Sequence, residues 1–84
     1  MQKQKTQEPK LITEFNKNST EVVKVQLTEF DGQQLLDVRV WALRQGKEYV
    51  PTKKGITLRV EQIDDLKEAI DMAAEEIEKT QRQG

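Results

Sequence analysis

The chain has 84 residues, 35% of them hydrophobic and 35% charged, and a net charge of −1. That is enough for one small domain with a thin core, the kind that needs a disulfide, a metal or a partner subunit. Cysteine and histidine are both absent. This excludes disulfides, thiolate nucleophiles and Cys-ligated zinc, and removes the usual general base and the commonest metal ligand. Oligomerisation is the aid that remains, so a homodimer or higher assembly is expected.

The stretch from Met1 to Lys10 is rich in Gln, Lys and Thr and has almost nothing to bury. It does not read as a signal peptide. No apolar run reaches the roughly 18 residues of a membrane span. A cytoplasmic protein with no membrane partner is expected. Leu11, Ile12 and Phe15 form a small apolar island, and Asn16 to Thr20 reads as a polar linker. Residues 1–20 are therefore expected to be a flexible segment, ahead of a domain over 21–80 and a frayed tail over 81–84.

From Glu21 to Phe30 the hydrophobic period becomes two. Val23, Val25 and Leu27 point one way, while Lys24, Gln26, Thr28 and Phe30 point the other, the pattern of a half-buried strand. Asp31-Gly32 then supplies a strong hairpin signal, because both residues tolerate positive φ. A second strand runs from Gln34 to about Leu43. Leu36, Val38, Val40 and Ala42 share one face; Leu35, Asp37, Arg39 and Trp41 share the other. Gln45-Gly46 gives the next turn. A short third strand is expected at Glu48 to Val50, with Pro51 ending it or sitting on a sheet edge. Lys53-Lys54-Gly55 reads as a basic connection. A fourth strand, with Ile56, Leu58 and Val60 alternating against Thr57 and Arg59, completes an antiparallel meander.

A helix is predicted over about Glu61 to Lys79. Ile63, Leu66, Ile70, Ala73, Ala74 and Ile77 recur at spacings of three and four, which makes a narrow apolar stripe. Neither Arg59 nor Val60 is a good N-cap. The stripe must pack on the sheet, on a symmetric copy, or on both. The fold class is thus α+β, four strands followed by one helix. Charge is uneven along it: residues 1–20 and 21–60 each carry +2, and residues 61–84 carry −5.

Catalysis has little to work with. Ser19 and the threonines lack an activating imidazole. The carboxylate pairs Asp64-Asp65 and Glu75-Glu76 are helical neighbours about 100° apart, so they do not converge on one proton or metal. The glycines are isolated turn residues, not a phosphate loop. Neither a catalytic residue, a metal site nor a cofactor is expected. The polar sheet face is more informative. Lys24, Gln26, Thr28 and Phe30 lie beside Arg39 and Trp41, and bases stack on aromatic rings at about 1–3 kcal/mol each while cations hold phosphates. The same aromatics would also suit a core or a hairpin cap. Tyr49 is a third candidate platform, and Lys53-Lys54 suits a phosphate contact or an ordinary soluble turn.

Two motifs add a resemblance. Asp37 to Trp41 reads D-V-R-V-W, and Lys53 to Leu58 reads K-K-G-I-T-L. Together with the F-D-G turn at Phe30 to Gly32, a Pro before the second motif and a helix after it, they resemble the transcriptional positive cofactor four family, most of all its bacterial members. The resemblance covers about Val22 to Ile70. It implies a curved four-stranded antiparallel sheet with one helix, dimerised across a two-fold, that binds single-stranded DNA with little sequence preference and serves transcription. On that basis Phe30 and Trp41 match base-stacking aromatics, and Arg39, Lys53 and Lys54 match basic contacts. Gly55 would bring the backbone close to the nucleic acid. Lys24, Gln26, Thr28, Tyr49 and Arg59 join them from face parity or position. Ile63, Leu66, Ile70, Ala73 and Ile77 are the expected dimer contacts. The chain departs from the eukaryotic pattern at Asp31, Gln33, Ala42 and Val50, each in place of a basic or aromatic residue. Nothing marks a 2′-hydroxyl reader, so the ligand is single-stranded DNA or RNA, with a partner in the transcription machinery. The alternative is a protein-interaction module acting through the acidic helix.

Overall fold

A computed structural model describes residues 9–83 of the chain. Four antiparallel strands form one sheet in sequence order. They are β1 (Lys10–Asn18), β2 (Glu21–Phe30), β3 (Gln33–Arg44) and β4 (Glu48–Arg59). A 3-10 turn at Val60–Gln62 leads into α1 (Ile63–Gln83).

The α+β class with four strands and a helix matches expectation, but the strands are distributed differently. Residues 10–18, expected within a flexible segment, form β1 on the edge beside β2. Two register shifts, between Leu11 and Thr13 and between Asn16 and Asn18, break the period of two by which a strand is recognised. The remainder of that segment, residues 1–8, lies outside the described residues. The expected third and fourth strands are a single strand, β4. Pro51 sits within it, opposite Trp41, and is tolerated because β4 is the other sheet edge. Between the pairs Arg39–Gly55 and Trp41–Pro51, β3 advances two residues and β4 four. The surplus forms a bulge, so Lys53-Lys54-Gly55 lies within a strand and not in a connection. The helix starts after the 3-10 turn and continues through Gln83, across the tail expected to fray. Its entry is held by Gln62, whose Oε1 accepts a hydrogen bond from the Arg59 backbone N–H at 3.1 Å.

The hairpin register settles the two faces. Val23 opposes Val40, Val25 opposes Val38, and Leu27 opposes Leu36. On β4, Ile56 opposes Val38 and Leu58 opposes Leu36. These residues form one apolar face. The other face carries the pairs Lys24–Arg39, Gln26–Asp37, Thr28–Leu35 and Val22–Trp41. Both follow the alternation in the sequence, because cross-strand partners share a face.

Little of this surface is covered by the chain itself. Val22, 6% exposed, is the buried apolar residue among those described. Most of the apolar face is half-buried, and Ile56 is exposed. The 3-10 turn packs against β3, whereas α1 has no extensive contact with any strand. From Lys67 to Gln81 the helix is exposed, including Ile70, Ala73 and Ile77. The radius of gyration is 16.2 Å, against about 12 Å for a compact domain of this length.

Candidate nucleic-acid interface

The polar face is organised around β2 and β3. Lys24 lies opposite Arg39 and carries its Nζ 4.1 Å from the centroid of the Trp41 ring, a cation–π contact. The same Nζ is 3.8 Å from Glu14 of β1. Trp41 is half-buried. Its indole N–H is buried and finds no hydrogen-bond partner among the described residues. The ring is therefore a covered platform, not the open one expected from parity.

Arg39 is the most constrained cation. Its Nε donates to both Asp37 carboxylate oxygens at 3.2 and 3.3 Å, and its Nη2 donates to Asp37 Oδ1 at 2.9 Å. Nη2 also approaches Thr57 Oγ1 at 3.3 Å, and Nη1 donates to the Thr52 carbonyl at 3.0 Å. Hydrogen bonding to Asp37 raises the Arg39 pKa above that of a free arginine, outweighing desolvation. Thr57 Oγ1 in turn donates to Asp37 Oδ1 at 3.0 Å. Gly55 faces Arg39 across the ladder, so strand pairing accounts for this glycine and no turn is needed.

The remaining expected residues divide. Gln26 and Thr28 share the polar face with Lys24, Arg39 and Trp41, and Arg59 joins them opposite Leu35. Arg59 also pairs with Glu61 at 3.5 Å. Phe30 stands 69% exposed at the hairpin tip, where Asp31 and Gly32 take φ of 54° and 75°. Tyr49 lies at the opposite end, opposite Leu43. Gln33 and Leu43, their partners on β3, are ten positions apart, roughly 33 Å of strand. Lys53 is exposed at the bulge. Lys54 is separated from the polar group. Its Nζ lies 3.9 Å from Glu21 Oε2, and Glu21 pairs with Ala42, which places this contact on the apolar side.

On that side an open groove of about 320 Å³ is lined by Val23, Val38, Val40 and Ile56 and flanked by Lys17 and Lys54. Glu21 accepts hydrogen bonds from Asn18 Nδ2 at 2.8 Å and Lys17 Nζ at 3.3 Å. Those two bonds, the Asn18 one foremost, hold its carboxyl below the ordinary range. Sequence reasoning missed Glu14 and Lys17 because β1 was not read as a strand. Asp37, Thr52 and Thr57 were not singled out as partners of Arg39. The D-x-R spacing placed Asp37 and Arg39 on one face and was a usable signal for that pair. The Thr52 contact depends on the bulge and had none. Among the described residues no cluster of acidic side chains is arranged to hold a metal ion, and no helix is long and apolar enough to cross a membrane.

The family model of the transcriptional coactivator p15 (PC4) matches residues 17–69, more than half of the chain. The chain belongs to the PC4 family. A PC4 homologue from Burkholderia pseudomallei is similar in structure, with a TM-score of 0.75 and 24% identity over 80% of this chain and 98% of its own. A bacteriophage T5 homologue of the eukaryotic PC4 coactivator, implicated in recombination-dependent DNA replication, has a TM-score of 0.68 and 26% identity. It is covered over 83% of this chain and 81% of its own. No curated protein matches. The PC4 match ends within α1, so the last four turns of the helix extend past it.

Proposed function

We propose that this PC4-family chain is a homodimer that binds single-stranded DNA, with little sequence preference, across the polar face of its sheet. The observation that carries the reading is the division of that sheet. One face gathers Lys24, Arg39, Trp41, Gln26 and Thr28, with Phe30 at its tip; the other carries the apolar pairs Val23–Val40, Val25–Val38 and Leu27–Leu36, with Ile56 and Leu58 beside them. A base reaching Trp41 takes the place of the Lys24 ammonium, and that ammonium is then free for the adjoining phosphate. Lys53, Lys54 and Arg59 supply further phosphate contacts along β4, and Tyr49 a stack at the far end. Lys54 reaches the strand around the sheet edge, as its 71% exposed side chain allows. No cofactor or metal enters this reading.

The apolar face and the helix stripe are the surfaces that a second copy covers. Ile63, Leu66, Ile70, Ala73 and Ile77 alternate at three and four residues, with isoleucine at each a position, as in a coiled-coil seam. The cellular role is the regulation of transcription or the protection of exposed strands, in the cytoplasm and near the nucleoid. RNA and a transcription-machinery partner fall within the same reading.

The test is a titration with an oligo-dT of about 20 nucleotides. It follows emission from Trp41, the sole tryptophan, and the anisotropy of an end-labelled strand, at two salt concentrations and against a duplex of equal length. Quenching by the single strand that weakens with salt, with little response to duplex, is the expected result. No change in anisotropy at low salt overturns the reading and moves attention to protein partners of the acidic helix.

A further inference from the structure

We propose that Arg39 acts on the strand as a flat stacking plate for a base, positioned by Asp37 and Thr57, and not as a phosphate ligand. The inference rests on the single-strand reading of the polar face and assigns a contact mode within it.

The hydrogen-bond inventory decides the mode. A guanidinium has five N–H donors and no acceptor. In this chain Nε is shared between both Asp37 oxygens, Nη2 serves Asp37 and Thr57, and Nη1 serves the Thr52 carbonyl. One donor is left. The charge is compensated as well, because the Asp37 carboxylate lies 2.9 Å away with its side chain only 13% exposed. Clamping a phosphate calls for uncompensated charge and paired free donors. Arg39 retains neither.

What it retains is its plane. A guanidinium is weakly hydrated and stacks on aromatic faces, and single-stranded bases are commonly held on such planes. The bonds to Thr52 and Thr57 lie on either side of Gly55 along β4, so the side chain reaches across the strand at the one residue with no side chain to obstruct it. A Cβ at position 55 would fall 2.7 Å from Arg39 Cα and 3.0 Å from its Cβ. Thr57 closes the arrangement, since its hydroxyl accepts from Arg39 and donates to Asp37. Trp41 follows two residues later on the same face, about 7 Å along the strand. Arg39, its side chain 24% exposed, and Trp41, once Lys24 moves off its ring, thus form two neighbouring plates for successive splayed bases, while the lysines take the phosphates.

Three strands of equal length test this: oligo-dT, an abasic deoxyribose-phosphate strand, and duplex. The full-length protein is used with two variants. Arg39→Lys keeps the charge and removes the plane. The double variant Asp37→Asn/Arg39→Gln removes both charges together, so the net charge is unchanged and no ion is left unpaired. It also serves if the single variant does not fold. Each is expected to lose about tenfold in affinity for oligo-dT, the size of one base stack. The salt slope should be unchanged, and binding to the abasic strand should equal wild type. Near wild-type oligo-dT binding by both variants overturns the proposal. So does an equal loss on the abasic strand, or a slope reduced by about 0.7 in the double variant, the signature of one lost phosphate contact. Wild-type protein that ignores oligo-dT altogether overturns the single-strand reading, and the contact mode with it.

Discussion

At the scale of single residues, the ladder leaves no room at Gly55. A Cβ there would meet the Val38 carbonyl at 2.5 Å and Arg39 Cα at 2.7 Å. Both are backbone atoms and cannot swing aside. Gly55→Ala is therefore expected to destabilise the fold by about 1–3 kcal/mol, the usual cost of overpacking, and a melting curve lowered by several degrees would show it. An unchanged melting temperature would mean that β3 and β4 separate without cost at this point. Glu21 gives a pH-dependent prediction. Its folded-state pKa is lowered by the Asn18 and Lys17 hydrogen bonds, so the unfolded chain takes up this proton more readily than the native one. The contribution is present at neutral pH and is lost as pH falls through the lowered value. Glu21→Gln should lose less stability than wild type between neutral and acid pH. Parallel curves of melting temperature against pH would show that the Asn18 and Lys17 bonds are broken in solution.

At the scale of elements, legibility followed periodicity. The β2–β3 hairpin was readable to within a residue or two, because two uninterrupted alternating runs flank Asp31-Gly32 and a slip by one would turn every valine to the wrong face. β1 and β4 were not, and for the same physical reason: each carries an irregularity. The bulges in β1 scatter Leu11, Ile12 and Phe15 off a single parity. The extra residues of β4 fall among Thr52 to Lys54, next to Pro51, where proline and two lysines imitate a loop. Both are edge strands, for which bulges, proline and lysine are the usual protection against stray pairing. The helix was legible from its stripe, and its length beyond the PC4 match gives a test. Ile70, 57% exposed, occupies the centre of the proposed seam. Ile70→Asp is expected to convert the proposed dimer to monomer, seen as a halved mass in sedimentation equilibrium. A variant that kept the wild-type mass would transfer the interface from the helix to the sheet.

At the scale of the whole molecule, the open shape is itself the argument for a second copy. A radius of gyration of 16.2 Å and a core that, among the described residues, is reduced to Val22 leave apolar area that a monomer of this size does not expose without reason. Melting temperature should accordingly rise with protein concentration, since association adds to the stability of the native state alone. A concentration-independent transition would contradict this. The candidate site follows the same division. Parity placed Lys24, Gln26, Thr28, Arg39 and Trp41 on one face, because side chains in a strand alternate whatever the tertiary setting.

The sequence by itself determined the α+β class, the two hairpin faces, the amphipathic helix, and the lack of imidazole and thiol chemistry. All of these are local periodicities or counts, and they survive in any packing. Tertiary structure decided what depends on contacts between segments distant in the chain. It brought β1 alongside β2, so that Glu14 holds Lys24, and laid Lys24 over Trp41. It sent Lys54 to Glu21 on the opposite side of the sheet, and it drew Asp37, Thr52 and Thr57 around Arg39. A bulge changes which residues meet across a ladder without changing the composition of either strand, so such partnerships appear once the strands are paired.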